Sequence, residues 1–176
     1  MTGSLSKQEL AMPALPALTA KLATILQKNG WRMATAESCT GGLIAAACTD
    51  LAGSSQWFER GFVTYSNAAK TELLGVDAQL IERHGAVSEQ VAQAMAQGAL
   101  ARSPVQAALA VTGVAGPGGG SAGKPVGTVW FAWATPAGVT CEQRRFGGDR
   151  AAVRQAAMAH ALARLADLLD LPGLPA

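Results

Sequence analysis

The stretch WRMATAESCTGGLIAAAC, residues 31–48, decides the fold, because it reads as a strand, a tight turn and a helix in immediate succession. Trp31 to Ala36 is a short extended run, and Glu-Ser-Cys-Thr-Gly-Gly is a turn. Leu43, Ile44, Ala47, Cys48 and Leu51 then share one helical face. Ser38 stands at the junction, where ligands collect in open α/β sheets.

Upstream, Leu15, Leu18, Leu22 and Ile25 recur at helical spacing, and Asn29-Gly30 closes that helix. Residues 1–13 read as a loose arm, and residues 14–176 as a single domain without internal repeat or linker. Downstream, Gly61 to Tyr65 is a second strand. A helix opens at Asn67, a short one spans Asp77 to Arg83, and a longer one follows the N-cap Ser88. Val105 to Val111 is an apolar third strand suited to burial on both faces, and the three strands are expected to be parallel. Gly113 to Gly127, broken by Pro117 and Pro125, is an irregular loop. Thr128 to Ala134 and Val139 to Phe146 form a hairpin across Pro136-Ala137-Gly138. A last helix from Asp149 turns Met158, Leu162, Leu165 and Leu169 inward. This order predicts a three-layer α/β/α sandwich around a mixed, mostly parallel sheet of about five strands.

Composition sets the outer bounds. The 176 residues are 49% hydrophobic and 15% charged, which is globular rather than disordered. Fourteen Lys and Arg against 12 Asp and Glu leave a net charge of +2, too weak a field for nucleic acid or an acidic membrane. Cys39, Cys48 and Cys141 are an odd set without CxxC spacing, which points to reduced thiols in a cytoplasm. No secretory h-region and no run of about 18 apolar residues occurs, so neither export nor a membrane span is expected.

Ser38 admits three readings: a helix cap, a phosphate-cradling turn, or a nucleophile whose oxyanion is met by N–H groups of Thr40, Gly41 and Gly42. A nucleophile needs a base. His160 lies off the leucine stripe of the last helix beside Arg164 and Asp167, and reads as solvated. His84 reads as a helix C-cap, and a triad through it and Asp77 is disfavoured. Lys70 is the better candidate: Tyr65 ends a strand, Asn67 caps the next helix, and Lys70 follows in its first turn. A lysine serves as base only when burial or a neighbouring cation lowers its pKa, so Lys70 must be desolvated; the alternative is a solvated lysine paired with Glu72 or Asp77. The glycine loop either wraps a ligand or is a disordered excursion. Among the basic residues near it, Lys124 and Arg145, the latter from the group Arg144, Arg145, Arg150 and Arg154, are taken as phosphate contacts. No zinc-like ligand spacing appears.

Taken together, AESCTGG (36–42), YSNAAK (65–70), HGAVS (84–88), TGVAGPGGG (112–120) and KPVGTVWFA (124–132) resemble the CinA C-terminal domain family, in order and over about residues 15–170. The resemblance implies a CinA-like fold, a homodimer, no cofactor, and the activity of the family's characterised members, nicotinamide-nucleotide amidohydrolases: nicotinamide mononucleotide to nicotinate mononucleotide and ammonia. It places the nucleophile on Ser38, the base on Lys70 and the site tyrosine on Tyr65, with the TG of the third strand on Thr112 and Gly113. The chain lacks the N-terminal domain of long family members and so looks like the stand-alone form. A non-catalytic nucleotide-binding module is the main rival, and a nucleic-acid role is disfavoured by the low charge.

Overall fold

The structure is a computed structural model and describes residues 14–174. The arm expected over 1–13 lies outside the described residues. Helix α1 spans Leu15–Lys28, strand β1 Met33–Glu37 and helix α2 Leu43–Thr49. A single 3-10 turn at Ser54–Gln56 leads into β2, Phe58–Val63. Three helices follow, α3 (Asn67–Leu74), α4 (Ala78–His84) and α5 (Glu89–Ala101), then β3 (Ala107–Gly113), β4 (Thr128–Thr135), β5 (Gly138–Arg145) and α6 (Arg150–Leu169).

The five strands form one sheet in the order β2-β1-β3-β4-β5. β1 runs parallel to both β2 and β3, and β4 and β5 are antiparallel. The fold is therefore α/β with a mixed sheet. The chain leaves β1 for β2 on one side and later returns to β3 on the other, so the sheet changes winding direction at β1 and opens a crevice at its carboxyl end. Ser38 is the first residue past that end.

Strand alternation sorts the two faces. Met33, Leu109, Val111, Phe131 and Trp133 point to one face, under α1, α2 and α6, and pack with Leu22, Leu26, Leu162 and Leu165. Burying each of these large side chains stabilises by roughly 1.5–3 kcal/mol. The other face is paved with Ala36, Ala108, Ala110, Ala132 and Ala134, which let α5 lie close on the sheet through Val91, Met95 and Ala96. α3 joins that layer at Gly98, where a Cβ would run into the Leu74 carbonyl.

Several details differ from expectation. Strand β2 ends at Val63, two residues before Tyr65, and Asn67 is not the cap of α3: Ser66 is, its hydroxyl accepting from Ala69 N at 3.0 Å. His160 is not solvated. Its ring sits 4.8 Å from Phe131 and 6.0 Å from Trp133, with Nε2 3.2 Å from Glu142 Oε2. The buried arc of α6 is wider than its leucine stripe because β5, at the sheet edge, turns Glu142 up against it. Burial holds the His160 pKa down, partly opposed by Glu142. The glycine loop is also more organised than a free excursion: Val114 N donates to Thr128 O, Gly127 N to Val114 O, and Ser121 and Lys124 exchange backbone bonds.

Candidate active site

Beyond β1 the chain makes a turn tied both within itself and to β3. Ser38 N donates to Val111 O at 2.9 Å, Gly41 N to Ser38 O at 3.1 Å and Leu43 N to Thr40 O at 3.1 Å. Gly42 is the N-cap of α2 and has no side chain to accept from the helix. Glu37 does that work: its fully buried carboxylate takes Ile44 N at 2.9 Å on one oxygen and Ala45 N at 3.0 Å on the other. Ser38 is thereby relieved of capping. The amides of Leu43, Ile44 and Ala45 that open α2 are thus spent on Thr40 and Glu37.

The Ser38 hydroxyl instead meets Lys70. Lys70 Nζ lies 3.0 Å from Ser38 Oγ and donates to Thr64 O at 2.9 Å and Tyr65 O at 3.3 Å. The lysine is 1% exposed. Its helix, capped by Ser66, carries it inward toward β1, and no carboxylate among the described residues pairs with it. Burial pulls its pKa down to about 8, with the Cys39 thiol opposing.

These groups open on a cavity of about 260 Å³ lined by Ser38, Cys39, Tyr65, Asn67, Lys70, Thr112, Gly113 and Arg150 among others. Thr112 Oγ1 is tied to Ala86 O at 2.9 Å, and Gly113 lets β4 approach, since a Cβ there would lie 2.8 Å from Val129. Tyr65 touches Lys70 through its main-chain carbonyl only; its hydroxyl receives Arg150 Nη2 at 3.3 Å. A second cavity of about 670 Å³, between the glycine loop and the start of α6, shares Ala115 and Arg150 with the first and is also bordered by Arg154.

Of the residues singled out from sequence, Ser38, Tyr65, Asn67, Lys70, Thr112 and Gly113 converge here. Thr40, Gly41 and Gly42 do not line the cavity. Thr40 is fully buried, and the Gly41 amide is consumed within the turn. The two glycines are required by the backbone, with φ of 58° and 104°, a region other residues enter only at a cost. The amides of Cys39 and Thr40 both lack an acceptor among the described residues, and of the two only Cys39 lines the cavity. The Cys39 thiol is pushed up to about 11 by burial and stays protonated, so it does not compete as a nucleophile.

Lys124 and Arg145 lie elsewhere. The Lys124 ammonium donates to His84 O at 2.8 Å, pinning the glycine loop to the end of α4, and Arg145 is exposed at the end of β5. Their place near the site is taken by Arg150 and Arg154. Arg150 Nη1 donates to Gly116 O at 2.9 Å; Arg154 Nε and Nη2 donate to Cys39 O at 3.1 Å and Thr40 O at 3.2 Å. Sequence reasoning passed over Glu37 as well, although a glycine at the N-cap signals that α2 draws its acceptor from another residue. Among the described residues, no group of three His, Cys, Asp or Glu is placed to hold a metal ion, and no helix is long and apolar enough to cross a membrane.

Comparison with known proteins agrees with this geometry. The family model described as CinA C-terminal domain matches residues 16–169. The nicotinamide-nucleotide amidohydrolase PncC of Enterobacter agglomerans is 57% identical over 138 residues, 78% of this chain and 84% of the relative. PncC of Escherichia coli K12 is 52% identical over 149 residues, 84% and 90%. A CinA-like protein of Syntrophobacter fumaroxidans, 55% identical, is matched over only 32% of its length. Among solved structures, the competence/damage inducible protein CihA of Agrobacterium tumefaciens superposes with a TM-score of 0.87 at 45% identity, covering 96% of this chain and all of that one. Sequence, fold and the grouping of motif residues around one cavity concur: the chain belongs to the CinA C-terminal domain family.

Proposed function

We propose that the chain hydrolyses the carboxamide of nicotinamide mononucleotide to nicotinate mononucleotide and ammonia, with Ser38 as nucleophile and Lys70 as base. The observation that carries the chemistry is the 3.0 Å contact between Lys70 Nζ and Ser38 Oγ inside a buried site. Two of the three positions on Nζ are taken by the fixed carbonyls of Thr64 and Tyr65. In the neutral amine, whose two hydrogens go to those carbonyls, the lone pair faces the serine hydroxyl. The substrate is supported by the relatives' names, those of nicotinamide-nucleotide amidohydrolases.

In this mechanism Lys70 takes the Ser38 proton as Oγ bonds to the carboxamide carbon, and the carbonyl oxygen becomes an oxyanion at Cys39 N–H. The Lys70 ammonium returns the proton to the leaving nitrogen, the C–N bond breaks and ammonia departs. Water, deprotonated by Lys70, then attacks the acyl carbon, Ser38 Oγ leaves with that proton, and the nicotinate carboxylate is released. No cofactor enters. Tyr65 acts through its carbonyl on Lys70 and through its hydroxyl, which with Arg150 borders the cavity.

The substrate's ribose and phosphate extend from the smaller cavity into the larger one, with Arg150, at their junction, as the phosphate partner. A cytoplasmic location and a homodimer complete the proposal; three free cysteines fit the first, and sedimentation of the purified chain tests the second. The deciding assay is incubation with nicotinamide mononucleotide, measuring ammonia and nicotinate mononucleotide. Turnover that survives Ser38→Ala undiminished removes the serine mechanism. Tight binding of the nucleotide without turnover replaces the amidase with a nucleotide-binding module.

A further inference from the structure

We propose that Arg154 is a positioning residue for the oxyanion: its guanidinium holds the peptide between Cys39 and Thr40, and through it the Cys39 N–H, in register with Ser38. The proposal rests on the amidase reading, since an oxyanion forms at Cys39 only if Ser38 attacks a carbonyl.

The turn can be followed one peptide at a time. The peptide joining Glu37 to Ser38 is tied at both ends, its carbonyl accepting from Thr64 N at 2.8 Å and its N–H donating to Val111 O at 2.9 Å. The next is tied by Gly41 N on Ser38 O at 3.1 Å, which leaves the Cys39 N–H as its free end. The peptide joining Thr40 to Gly41 uses both of its groups, with Leu43 N on Thr40 O at 3.1 Å and Gly41 N on Ser38 O. The peptide between Cys39 and Thr40 differs. Its N–H has no acceptor among the described residues, and its carbonyl accepts only from Arg154 Nε at 3.1 Å.

Among the described residues, one side chain from α6 is thus the hydrogen-bond partner of the peptide that follows the oxyanion donor. The guanidinium makes it a double one, because Nη2 reaches the next carbonyl, Thr40 O, at 3.2 Å. A planar fork can span two successive carbonyls, whereas a lysine ammonium delivers its donors from a single point. The group lies against the turn, Nη2 being 3.4 Å from where a Cβ on Gly41 would stand. Without it, the peptide between Cys39 and Thr40 is left to the turn bond from Gly41 N to Ser38 O, and misplacement of about 1 Å beside the nucleophile costs on the order of a hundredfold in rate.

Arg154 also borders the larger cavity, so the competing role is that of a phosphate ligand. Substrates with and without phosphate separate the two. Kinetics of the full chain and of Arg154→Lys and Arg154→Met are measured on nicotinamide mononucleotide and on the riboside, which has no phosphate. A positioning role lowers kcat on the order of a hundredfold for both substrates, with KM little changed, and added guanidinium ion restores part of the activity of Arg154→Ala. A rise in KM confined to the mononucleotide overturns the proposal in favour of phosphate binding, and unchanged kinetics overturn it outright. Hydrogen exchange gives a readout independent of turnover: the Gly41 and Leu43 amides exchange at least about tenfold faster in Arg154→Met, while those of α6 are unaffected. Unchanged exchange overturns the proposal even if the wild-type chain turns over neither substrate, a result that would separately remove the amidase reading.

Discussion

Between pH 6 and pH 9 the neutral fraction of Lys70, whose pKa burial holds at about 8, climbs from about 1% through about 9% at pH 7 to about 90%. If the neutral amine is the base, kcat follows that curve. It rises nearly tenfold from pH 6 to pH 7, gains roughly another fivefold to pH 8, and levels off near pH 9. Ammonia release at saturating substrate, measured from pH 5.5 to 9.5 at constant ionic strength, checks this, with the riboside as a control for titration of the substrate phosphate. Lys70→Arg keeps the charge and loses the acceptor, so kcat falls on the order of 10²–10⁴-fold at every pH. The same shift has a stability consequence of fixed sign. The unfolded lysine holds its proton up to about 10.5 and the folded one only to about 8, so the unfolded state binds more protons in that window. Stability relative to Lys70→Met therefore rises with pH from about 8 to about 10.5, by roughly 3 kcal/mol in all, and is flat below 8. A kcat that is level from pH 6 to 9, or that falls through this range, refutes the assignment of Lys70 as base. A stability difference that is level across the upper window refutes its burial as the cause.

Further outcomes follow from contacts around the site. Glu37→Gln leaves one carbonyl oxygen for two helix amides and points an NH2 group at the other, so denaturant unfolding should show a loss of about 1–3 kcal/mol together with reduced kcat. Gly98→Ala forces α5 away from the Leu74 carbonyl and costs about 1–3 kcal/mol, read as a lower melting temperature. Arg150→Ala raises KM for the mononucleotide by more than tenfold and for the riboside much less, which steady-state kinetics on both will show.

Much of the framework was legible before any coordinates. The strand, turn and helix around Ser38 follow from period-2 and period-3.6 patterns that operate within a few residues. The caps at Ser88 and Asp149 are equally local signals. Element edges were less certain: the third strand, expected over Val105 to Val111, runs Ala107–Gly113, because its ends are set by pairing with β1 and β4 rather than by apolar content. His160 looked solvated because a helical wheel sees one stripe and not the edge strand that brings Glu142 against it.

The candidate site divides along the same line. Ser38, Tyr65 and Lys70 were picked out by motif and by the need for a base, and the family resemblance gave the amide substrate. The placement of the other expected contacts depends on the fold. The glycines after Ser38 suggest close approach to a ligand, whereas their φ angles show that they make the turn, and it is the open amide of Cys39 that borders the cavity. Sequence proximity cannot tell which of Lys124, Arg145, Arg150 and Arg154 the fold turns toward the crevice, and the start of α6 brings the last two there.

The sequence by itself determined the elements, the α/β class and the chemical alphabet of the site, since those depend on local spacing, turn residues and recurrent motifs. Tertiary structure alone decided the state of that alphabet. Lys70 is a buried, depressed amine only because α3 folds it under β1, Glu37 is a cap only because α2 packs over it, and Arg154 is a strut only because α6 crosses the turn. The contact with Ser38 lies more than thirty residues from Lys70, and those with Cys39 and Thr40 more than a hundred from Arg154, and no periodicity along the chain records them.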